Sequence, residues 1–276
     1  MLAQLFDTAC SVSPDVRRFL IRNWFQYLST LDKEALMTFM NLGYAPLDTD
    51  EEQPIALKES DQVNRYCIQM YHRVAGAVDL SGRDVLEVGS GRGGGASYIT
   101  RYLQPHFMTG VDISKKAVAF CNSYHCIENL RFIYGDAESL PFEDQSFDII
   151  VNIESSYGYG HMTVFLSEVF RVLRPGGYFL FADYRNRDAV SLLRQQLRGS
   201  GLTIIKEACI NANVLKALDL EHERKLKLIE QGVPKIMQGA FAYFAALRGS
   251  KMYQSLKSGD VDYRQFVLCK QETPAS

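Results

Sequence analysis

The chain has little of what marks a nucleic-acid-binding or membrane-spanning protein. Lysine and arginine total 30 against 32 acidic residues, so the net charge is −2 and no basic excess exists to neutralise phosphates. No apolar run approaches the roughly 18 residues that a membrane span needs. The N-terminus also lacks a basic region followed by an apolar stretch. We therefore expect a cytoplasmic protein with no nucleic-acid partner and no membrane segment.

The cysteine pattern argues against a disulfide framework or a cysteine-bound metal. None of the six cysteines forms a Cys-x-x-Cys pair, and Cys121 and Cys126 have no histidines in metal-ligand register. This usage is typical of reduced thiols in a cytosolic protein. With 276 residues, of which 47% are hydrophobic and 22% charged, the chain can form one sizeable folded domain with additions.

Strand and helix patterns alternate through the middle of the chain, which predicts a parallel α/β sheet with helices on both faces. The predicted strands are 84–88, 107–111, 130–134, 147–153 and 177–182, and the predicted helices are 61–78, 94–103, 114–125, 161–173 and 188–199. Two further strands, 202–209 and 260–269, enclose a helical insertion at about 211–256, and the second should run antiparallel beside the first. Before residue 61 we expect helices at 13–28 and 33–40 and a loop at 46–60.

The first core strand runs directly into a cluster of glycines, in the sequence Val-Leu-Glu-Val-Gly-Ser-Gly-Arg-Gly-Gly from residue 85. Glycines at 89, 91 and 93 let the backbone turn tightly and approach a ligand closely. The second strand ends on Asp112, whose carboxylate can accept both hydroxyls of a ribose. Glu87 stands where it can reach an amino-acid ammonium. Together these residues predict a pocket for an adenosine-bearing cofactor.

The same glycines also satisfy the dinucleotide fingerprint, as Gly89-x-Gly91-x-x-Gly94. A nicotinamide-dependent oxidoreductase would need a second mononucleotide-binding half and a hydride-transfer group such as a Tyr-x-x-x-Lys pair, and the sequence has neither. Two other motifs favour a different class. Gly135-Asp-Ala-Glu138 follows the third strand, and Val172-Leu-Arg-Pro-Gly-Gly177 leads into the fifth.

These motifs, in this order over about residues 60–185, resemble the class I S-adenosylmethionine-dependent methyltransferases. Asn152-Ile-Glu-Ser-Ser156 and the segment 165–180 are similar to the phthiotriol/phenolphthiotriol dimycocerosate methyltransferases, which methylate a hydroxyl on a long polyketide-derived lipid. The resemblance implies a Rossmann-like, seven-stranded, mostly parallel sheet. It also implies a helical cap, formed by the N-terminus and the insertion, over the carboxyl ends of the strands, where open α/β sheets bind ligands.

The resulting interpretation has four parts: an N-terminal helical cap and access segment (1–60), a cofactor-binding core (61–210), a helical cap insertion (211–256), and a final strand with a tail (257–276). The implied function is methyl transfer from S-adenosylmethionine to a hydroxyl of a lipophilic, polyketide- or lipid-like molecule, without a metal. C- or N-methylation, or binding of the cofactor without methylation, stay open as alternatives. The apolar segment 236–247 is either lining for such a substrate or buried core.

The resemblance and the strand ends imply a set of cofactor-binding residues. Glu87 and Gly89 should face the methionine part of the cofactor, and Asp112 the ribose. The remaining positions are Ser90 and Gly91 in the turn, Ile113 beside the adenine, Asp136 and the Ala137 amide at the adenine amino group, and Asn152 at the end of the fourth strand.

The residue that removes the acceptor proton is less well defined by the sequence. Related enzymes carry a histidine after the fourth strand, but this chain has Tyr157 there, and the nearest histidine is His161. Asp183, after the fifth strand, occupies a position where some related enzymes orient the acceptor hydroxyl. We therefore predict His161, Asp183 and Tyr157 as candidate catalytic residues. Metal-dependent relatives need clustered Asp and Asn ligands at these strand ends, and the sequence does not reproduce that cluster.

Overall fold

The computed structural model describes residues 37–48, 50 and 55–272, and positions 13, 16, 19, 20 and 23 nearer the N-terminus. The first predicted helix is helical at positions 16, 19, 20 and 23, and its other residues from 14 on lie outside the described residues. Residues 33–36 of the second predicted helix lie outside them as well. The second prediction is wrong where it can be compared, because residues 37–40 are not helical. They belong instead to a strap (residues 37–42) over the glycine turn, where the Gly94 amide donates to the Thr38 carbonyl at 3.1 Å.

The described residues form one mostly parallel sheet of seven strands, as the resemblance implied, and the strand order is β3-β2-β1-β4-β5-β7-β6. All neighbouring pairs among the first five strands are parallel, and β7 runs antiparallel to both β5 and β6. The strands are β1 (Asp84–Val88), β2 (Phe107–Asp112), β3 (Leu130–Tyr134), β4 (Phe147–Ile153), β5 (Leu173–Asn186), β6 (Thr203–Cys209) and β7 (Val261–Cys269).

Helices cover both faces of the sheet because neighbouring strand residues point to opposite faces. Val85 packs in one buried cluster with Ile68, whereas Leu86 packs in a second cluster with Phe165. The α-helices of residues 55–272 are α1 (Arg65–Ala75), α2 (Gly94–Leu103), α3 (Lys115–Tyr124), α4 (Met162–Val172), α5 (Val190–Gly199), α6 (Asn211–Gly232), α7 (Lys235–Phe244) and α8 (Lys251–Ser258). None of the described helices combines the length and the apolar character required to cross a bilayer.

The fifth strand is much longer than the predicted 177–182. It begins at Leu173, which pairs with Phe147 across a register shift, and it continues to Asn186. Its last four residues pair with β7, so that Asp183 lies opposite Arg264 inside the sheet and not at a strand end. The apolar pattern of 177–182 predicts only the most buried part of β5. The pairing with β7 extends the strand to Asn186.

The insertion before β7 forms three helices, α6, α7 and α8, which we call the cap helices. Pro234 separates α6 from α7 because proline lacks the amide that a continuous helix requires. Gly249, at φ +83°, lies between α7 and α8 in a conformation that favours glycine. The region that the sequence analysis treats as one helical insertion is therefore divided into three separate helices.

Candidate active site

A cavity of about 470 Å³ lies at the carboxyl ends of β1, β2 and β4. The strap closes one side and the cap helices close another. Its wall combines residues from the glycine turn, from the ends of β2 and β3, from the segment after β4 and from the cap. Of the twelve predicted site residues, eight line this cavity: Gly89, Ser90, Gly91, Asp112, Ile113, Asp136, Ala137 and Tyr157.

The glycine turn follows β1 and requires glycine for both conformational and steric reasons. Gly89 has φ +78°, and a Cβ there would lie 1.9 Å from Ser155 Oγ, so no other residue fits. Gly91 has φ +53° and faces the cavity, where a Cβ would have only Met40 Sδ within 4 Å. The turn therefore presents bare backbone to whatever occupies the cavity.

Two acids flank this turn, and neither accepts a hydrogen bond from a cationic side chain of the described residues. Asp112 Oδ2 accepts from the Gly91 amide at 2.9 Å, and its Oδ1 accepts from the Ser114 amide at 2.8 Å. Burial raises the pKa of Asp112 to about 6 despite these bonds. Glu87 lies just behind the wall, 1% exposed, and accepts from the Tyr71 hydroxyl at 2.6 Å.

Burial also raises the pKa of Glu87 to about 8, and the nearby Asp112 carboxylate adds to this effect while the Tyr71 hydrogen bond opposes it. A cationic ligand group would favour the ionised form of this acid. Three buried polar atoms near the ends of β1 and β4 lack a hydrogen-bond partner among the described residues: Glu87 Oε2, Ser90 Oγ and Asn152 Oδ1. Because buried polar groups are normally paired, these atoms fit a ligand with polar groups of its own, such as an amino acid or a ribose.

The end of β3 supplies the side of the cavity predicted to hold the adenine. Asp136 Oδ1 accepts from the Glu138 amide at 3.0 Å, and Asp136 also forms an isolated bridge with Ser139. Ile113 and Ala137 line the wall beside it. An aromatic base with an exocyclic amine can pack on such a small apolar surface and donate a hydrogen bond to the acid beside it.

Asn152 and Tyr159 fasten the end of β4 to the glycine turn. The fully buried Asn152 donates to the Val88 carbonyl at 2.8 Å and to the Tyr159 hydroxyl at 2.9 Å. Tyr159 lines the cavity, and its hydroxyl also contacts Ser155 Oγ at 2.8 Å. Asn152 itself lies behind the wall. Asn152 thereby holds Tyr159, and it is Tyr159 that reaches the cavity.

Asp183 is fully buried and is not among the residues that line the cavity. Its Oδ2 accepts from Ser156 Oγ at 2.6 Å and from the Tyr157 amide at 2.9 Å, and its Oδ1 accepts from the Tyr184 amide at 2.8 Å. Arg185 lies 3.1 Å away as an ion-pair partner. These contacts hold the turn that carries Tyr157, whose ring stacks on Tyr184 at a centroid distance of 4.9 Å.

His161 lies immediately before α4 and outside the cavity wall. Its imidazole Nδ1 is 3.1 Å from Glu138 Oε2, and its side chain is 53% exposed. Glu138 Oε1 also accepts from the Gly160 amide at 2.7 Å and the His161 amide at 3.1 Å. Through these contacts, Glu138 in the loop after β3 holds Gly160 and His161 in the loop after β4.

Glu154 is an acid of the cavity wall that the sequence analysis did not predict. It directly follows β4. Its φ of +47° places a non-glycine residue in the left-handed region, which costs on the order of 1–3 kcal/mol and occurs most often at functional sites. Burial raises the pKa of Glu154 to about 8. An acid directly after the largely buried strand β4 is the signal that could have found it, but the resemblance draws attention to the missing histidine instead.

The wall opposite the glycine turn comes from the cap helices and is largely apolar. Leu228 and Ile229 of α6 and Phe241 and Phe244 of α7 line it, and Phe241 also packs with Ile229 in a small buried cluster. Lys225 brings an ammonium to this wall, where it donates to the Leu42 carbonyl at 3.3 Å. Segment 236–247 is therefore both cavity lining and packed core.

The methyltransferase domain model matches residues 86–181 of this chain. The phthiotriol/phenolphthiotriol dimycocerosates methyltransferase of Mycobacterium tuberculosis is 36% identical over 249 residues, covering 90% of this chain and 91% of that protein. The fatty-acid O-methyltransferase of Mycolicibacterium smegmatis is 36% identical over 246 residues, covering 89% and 88%. The geranyl diphosphate C-methyltransferase of Streptomyces coelicolor, solved with Mg²⁺, geranyl diphosphate and S-adenosyl-L-homocysteine, shares the fold with a TM-score of 0.65, 15% identity, and coverage of 92% and 97%.

Proposed function

The chain belongs to the family of S-adenosylmethionine-dependent methyltransferases that includes the phthiotriol/phenolphthiotriol dimycocerosates methyltransferases, and from this membership we propose that it methylates a hydroxyl oxygen of a lipophilic small molecule. One observation carries the proposal. A continuous cavity joins the glycine turn, with its acids and unpartnered polar atoms, to a largely apolar wall formed by the cap helices. A cofactor site and a site for a polyketide- or lipid-like acceptor therefore share one chamber.

The residues of the turn fit the cofactor by their chemistry. Asp112 would accept the ribose hydroxyls, Glu87 would face the amino-acid ammonium, and Asp136 would accept from the adenine amino group, with Ile113 and Ala137 beside the ring. Ser90, Gly91 and Asn152 complete the predicted set. When bound, S-adenosylmethionine supplies a methyl carbon that its sulfonium already makes electrophilic. The protein therefore has to align this carbon with the acceptor, and such alignment alone can supply about 7–11 kcal/mol.

The acceptor would lie between the cap and the segment after β4. Phe241 and Phe244 offer apolar contact to an alkyl or polycyclic body, and Tyr157 and Tyr159 border the polar end near the glycine turn. The hydroxyl to be methylated would then lie close to Glu154. Asp183 and His161 stay predictions as catalytic residues, but their contacts support positioning roles for the loop between β4 and α4.

A carboxylic acid is the second candidate acceptor. Lys225 places an ammonium in the cavity wall, and its contact with the Leu42 carbonyl at 3.3 Å is long, so the cation can also receive an anion. The relative named fatty-acid O-methyltransferase is as similar to this chain as the phthiotriol enzyme is. The product distinguishes the candidates, since a hydroxyl yields a methyl ether and a carboxylic acid yields a methyl ester.

Metal independence and a cytoplasmic location belong to the same proposal. No group of three or more histidine, cysteine or acidic side chains placed to bind a metal occurs in the described part of the chain. The five cysteines of that part are free thiols, as expected in a reducing compartment. Either property can be tested without knowledge of the natural acceptor.

Methyl transfer from isotope-labelled S-adenosylmethionine to para-dodecylphenol, with the product identified by mass spectrometry, tests the proposed function. We expect a methyl ether to form and the rate to be unchanged by EDTA. A rate that EDTA abolishes and Mg²⁺ restores would contradict metal independence. Transfer only to hexadecanoic acid, or only to a water-soluble charged acceptor, would contradict the assignment of a lipophilic hydroxyl.

A further inference from the structure

Glu154 lines the cavity that joins the glycine turn to the cap helices. It follows β4 directly, and its amide donates to the Ala182 carbonyl at 2.9 Å, which continues the β4–β5 pairing for one residue. At that residue the backbone turns into the left-handed region. The turn places the Glu154 side chain in the cavity wall beside Ser155 and Tyr157, instead of on a face of the sheet.

One oxygen of Glu154 is fixed, and the other is available to a ligand. Oε1 accepts from the Leu42 amide at 2.7 Å and from the Tyr263 hydroxyl at 2.8 Å, so the strap and β7 hold it from two sides. No described residue donates to Oε2, and this atom is not sealed from the cavity as the second oxygen of Glu87 is. A carboxylate held by one oxygen and open at the other is suited to accept a proton from a bound molecule.

The surroundings of Glu154 adjust its proton affinity toward neutral pH. Burial is the main reason that its pKa rises to about 8; the Leu42 and Tyr263 hydrogen bonds and the Lys225 ammonium lower it, and Asp183 raises it. The ionisable groups that influence Glu154 or respond to it come from α1, α6, β5 and β7: Cys67, Tyr71, Lys225, Asp183, Tyr184 and Tyr263. A base with a pKa near the working pH is the most effective general base.

We propose that Glu154 is the general base that takes the proton from the acceptor hydroxyl, an inference that rests on the proposed function. The hydroxyl oxygen forms its bond to the methyl carbon while the bond from that carbon to the cofactor sulfur breaks and leaves its electron pair on sulfur. The hydroxyl proton moves to Oε2 of Glu154. The products are the methyl ether, S-adenosylhomocysteine and a protonated Glu154, which then releases its proton to water.

The geometry favours Glu154 over the two bases predicted from the sequence. Both oxygens of Asp183 already accept hydrogen bonds from the backbone or from Ser156, and Asp183 does not line the cavity. The ring of His161 contacts Glu138 and is half exposed outside the wall. Of the three acids and bases, only Glu154 combines a place in the wall with an available oxygen.

The substitution Glu154→Gln tests this role because glutamine keeps the shape and the Oε1 acceptor but cannot take a proton. With para-dodecylphenol as the acceptor, kcat should fall by roughly 10²- to 10⁴-fold. Affinity for S-adenosylhomocysteine, measured by calorimetry, should stay within about threefold of the wild-type value. Glu230→Gln, which alters an exposed acid on α6, is the matched control and should leave both quantities unchanged.

The ortho-nitro derivative of the same phenol separates a base from a structural residue. The nitro group makes this phenol much more acidic than its parent, so above about pH 8 it is largely ionised and needs no base. At that pH the Glu154→Gln enzyme should methylate it at nearly the wild-type rate. With para-dodecylphenol, the wild-type rate should rise about tenfold per pH unit and level off near pH 8, while the Glu154→Gln rate should lack this rise. Tyr263→Phe removes one hydrogen bond to the ionised carboxylate and should move the wild-type profile to higher pH with a similar plateau.

Three outcomes would overturn the inference. Equal loss of rate with both phenols would show that Glu154 only shapes the site, and lost affinity for S-adenosylhomocysteine would make it a cofactor-binding or folding residue. Full activity of Glu154→Gln with para-dodecylphenol would exclude it as the base while leaving the proposed function intact. If the wild-type enzyme methylates neither phenol but esterifies hexadecanoic acid, the proposed hydroxyl acceptor fails, and the base fails with it because a carboxylate carries no proton to remove.

Discussion

At the scale of single residues, Asp112 is the side chain whose assigned role in cofactor binding is most easily tested. Asp112→Ala removes the carboxylate that we propose accepts the ribose hydroxyls. Hydrogen bonds to a charged group contribute about 1.5–3 kcal/mol, so affinity for S-adenosylmethionine should fall roughly 10- to 150-fold in calorimetry. Asp112→Asn keeps one of the two acceptor oxygens, so it can still accept from either the Gly91 or the Ser114 amide, and it should lose less than Asp112→Ala. Unchanged affinity in both variants would remove Asp112 from the site.

The residues that the sequence placed correctly in the cavity wall are those at the carboxyl ends of parallel strands. Asp112 ends β2, and Asp136 follows β3 by two residues, so the parallel register alone brings them to the same edge as Gly89. Two residues whose places in the structure differ from the prediction are positioned by tertiary contacts or by an unusual backbone conformation. Asp183 is drawn into the sheet by its pairing with Arg264, and Glu154 enters the wall through a left-handed backbone that no sequence pattern announces.

At the scale of elements, we expect the cap helices to determine which acceptors fit, because they line the cavity. The sequence predicted an apolar, charge-free segment at 236–247 but could not decide between lining and core. α7 resolves the question as both, because it packs on α6 through Phe241 and Ile229 and also borders the cavity. The predicted insertion consists of three helices, because Pro234 and Gly249 interrupt it. The hydrophobic periodicity of the sequence does not show these two breaks.

A charge placed on the cavity side of α7 should therefore weaken acceptor binding selectively. For Phe244→Asp we expect KM for para-dodecylphenol to rise about tenfold or more, because a carboxylate would have to be desolvated against the alkyl chain. Phe241→Asp should do the same but should also destabilise the cap, in which Phe241 is buried. Leu220→Asp changes an apolar side chain of α6 that is 54% exposed and is the matched control. Equal KM values in Phe244→Asp and Leu220→Asp would show that α7 is only packed core.

At the scale of the whole molecule, the buried acids of the site make the stability of the cofactor-free protein depend on pH. Glu87 and Glu154 have pKa values of about 8 in the folded protein against ordinary values of 4.5, and Asp112 has about 6 against 3.8. Over the interval between these values the folded state retains protons that the unfolded state releases. The free energy of unfolding therefore falls as pH rises from about 5 to about 8.

The melting temperature of the cofactor-free protein should accordingly be lower at about pH 8.5 than at about pH 6. A loss of only about 1 kcal/mol corresponds to roughly 2–4 °C for a chain of this size. Glu154→Gln, which cannot ionise, should flatten the dependence, whereas Glu230→Gln should not. A melting temperature that rises across this interval would show that the site acids are stabilised in their ionised form.

The central claim, that one cavity holds both the methyl donor and a lipophilic hydroxyl, is tested most directly by an acceptor series. The measurement is kcat/KM for label transfer from S-adenosylmethionine to para-alkylphenols that differ only in chain length. Each buried methylene contributes about 0.8 kcal/mol, so kcat/KM should rise about fourfold per methylene until the cavity is filled. A flat response to chain length, or higher kcat/KM for a charged water-soluble acceptor, would contradict the claim.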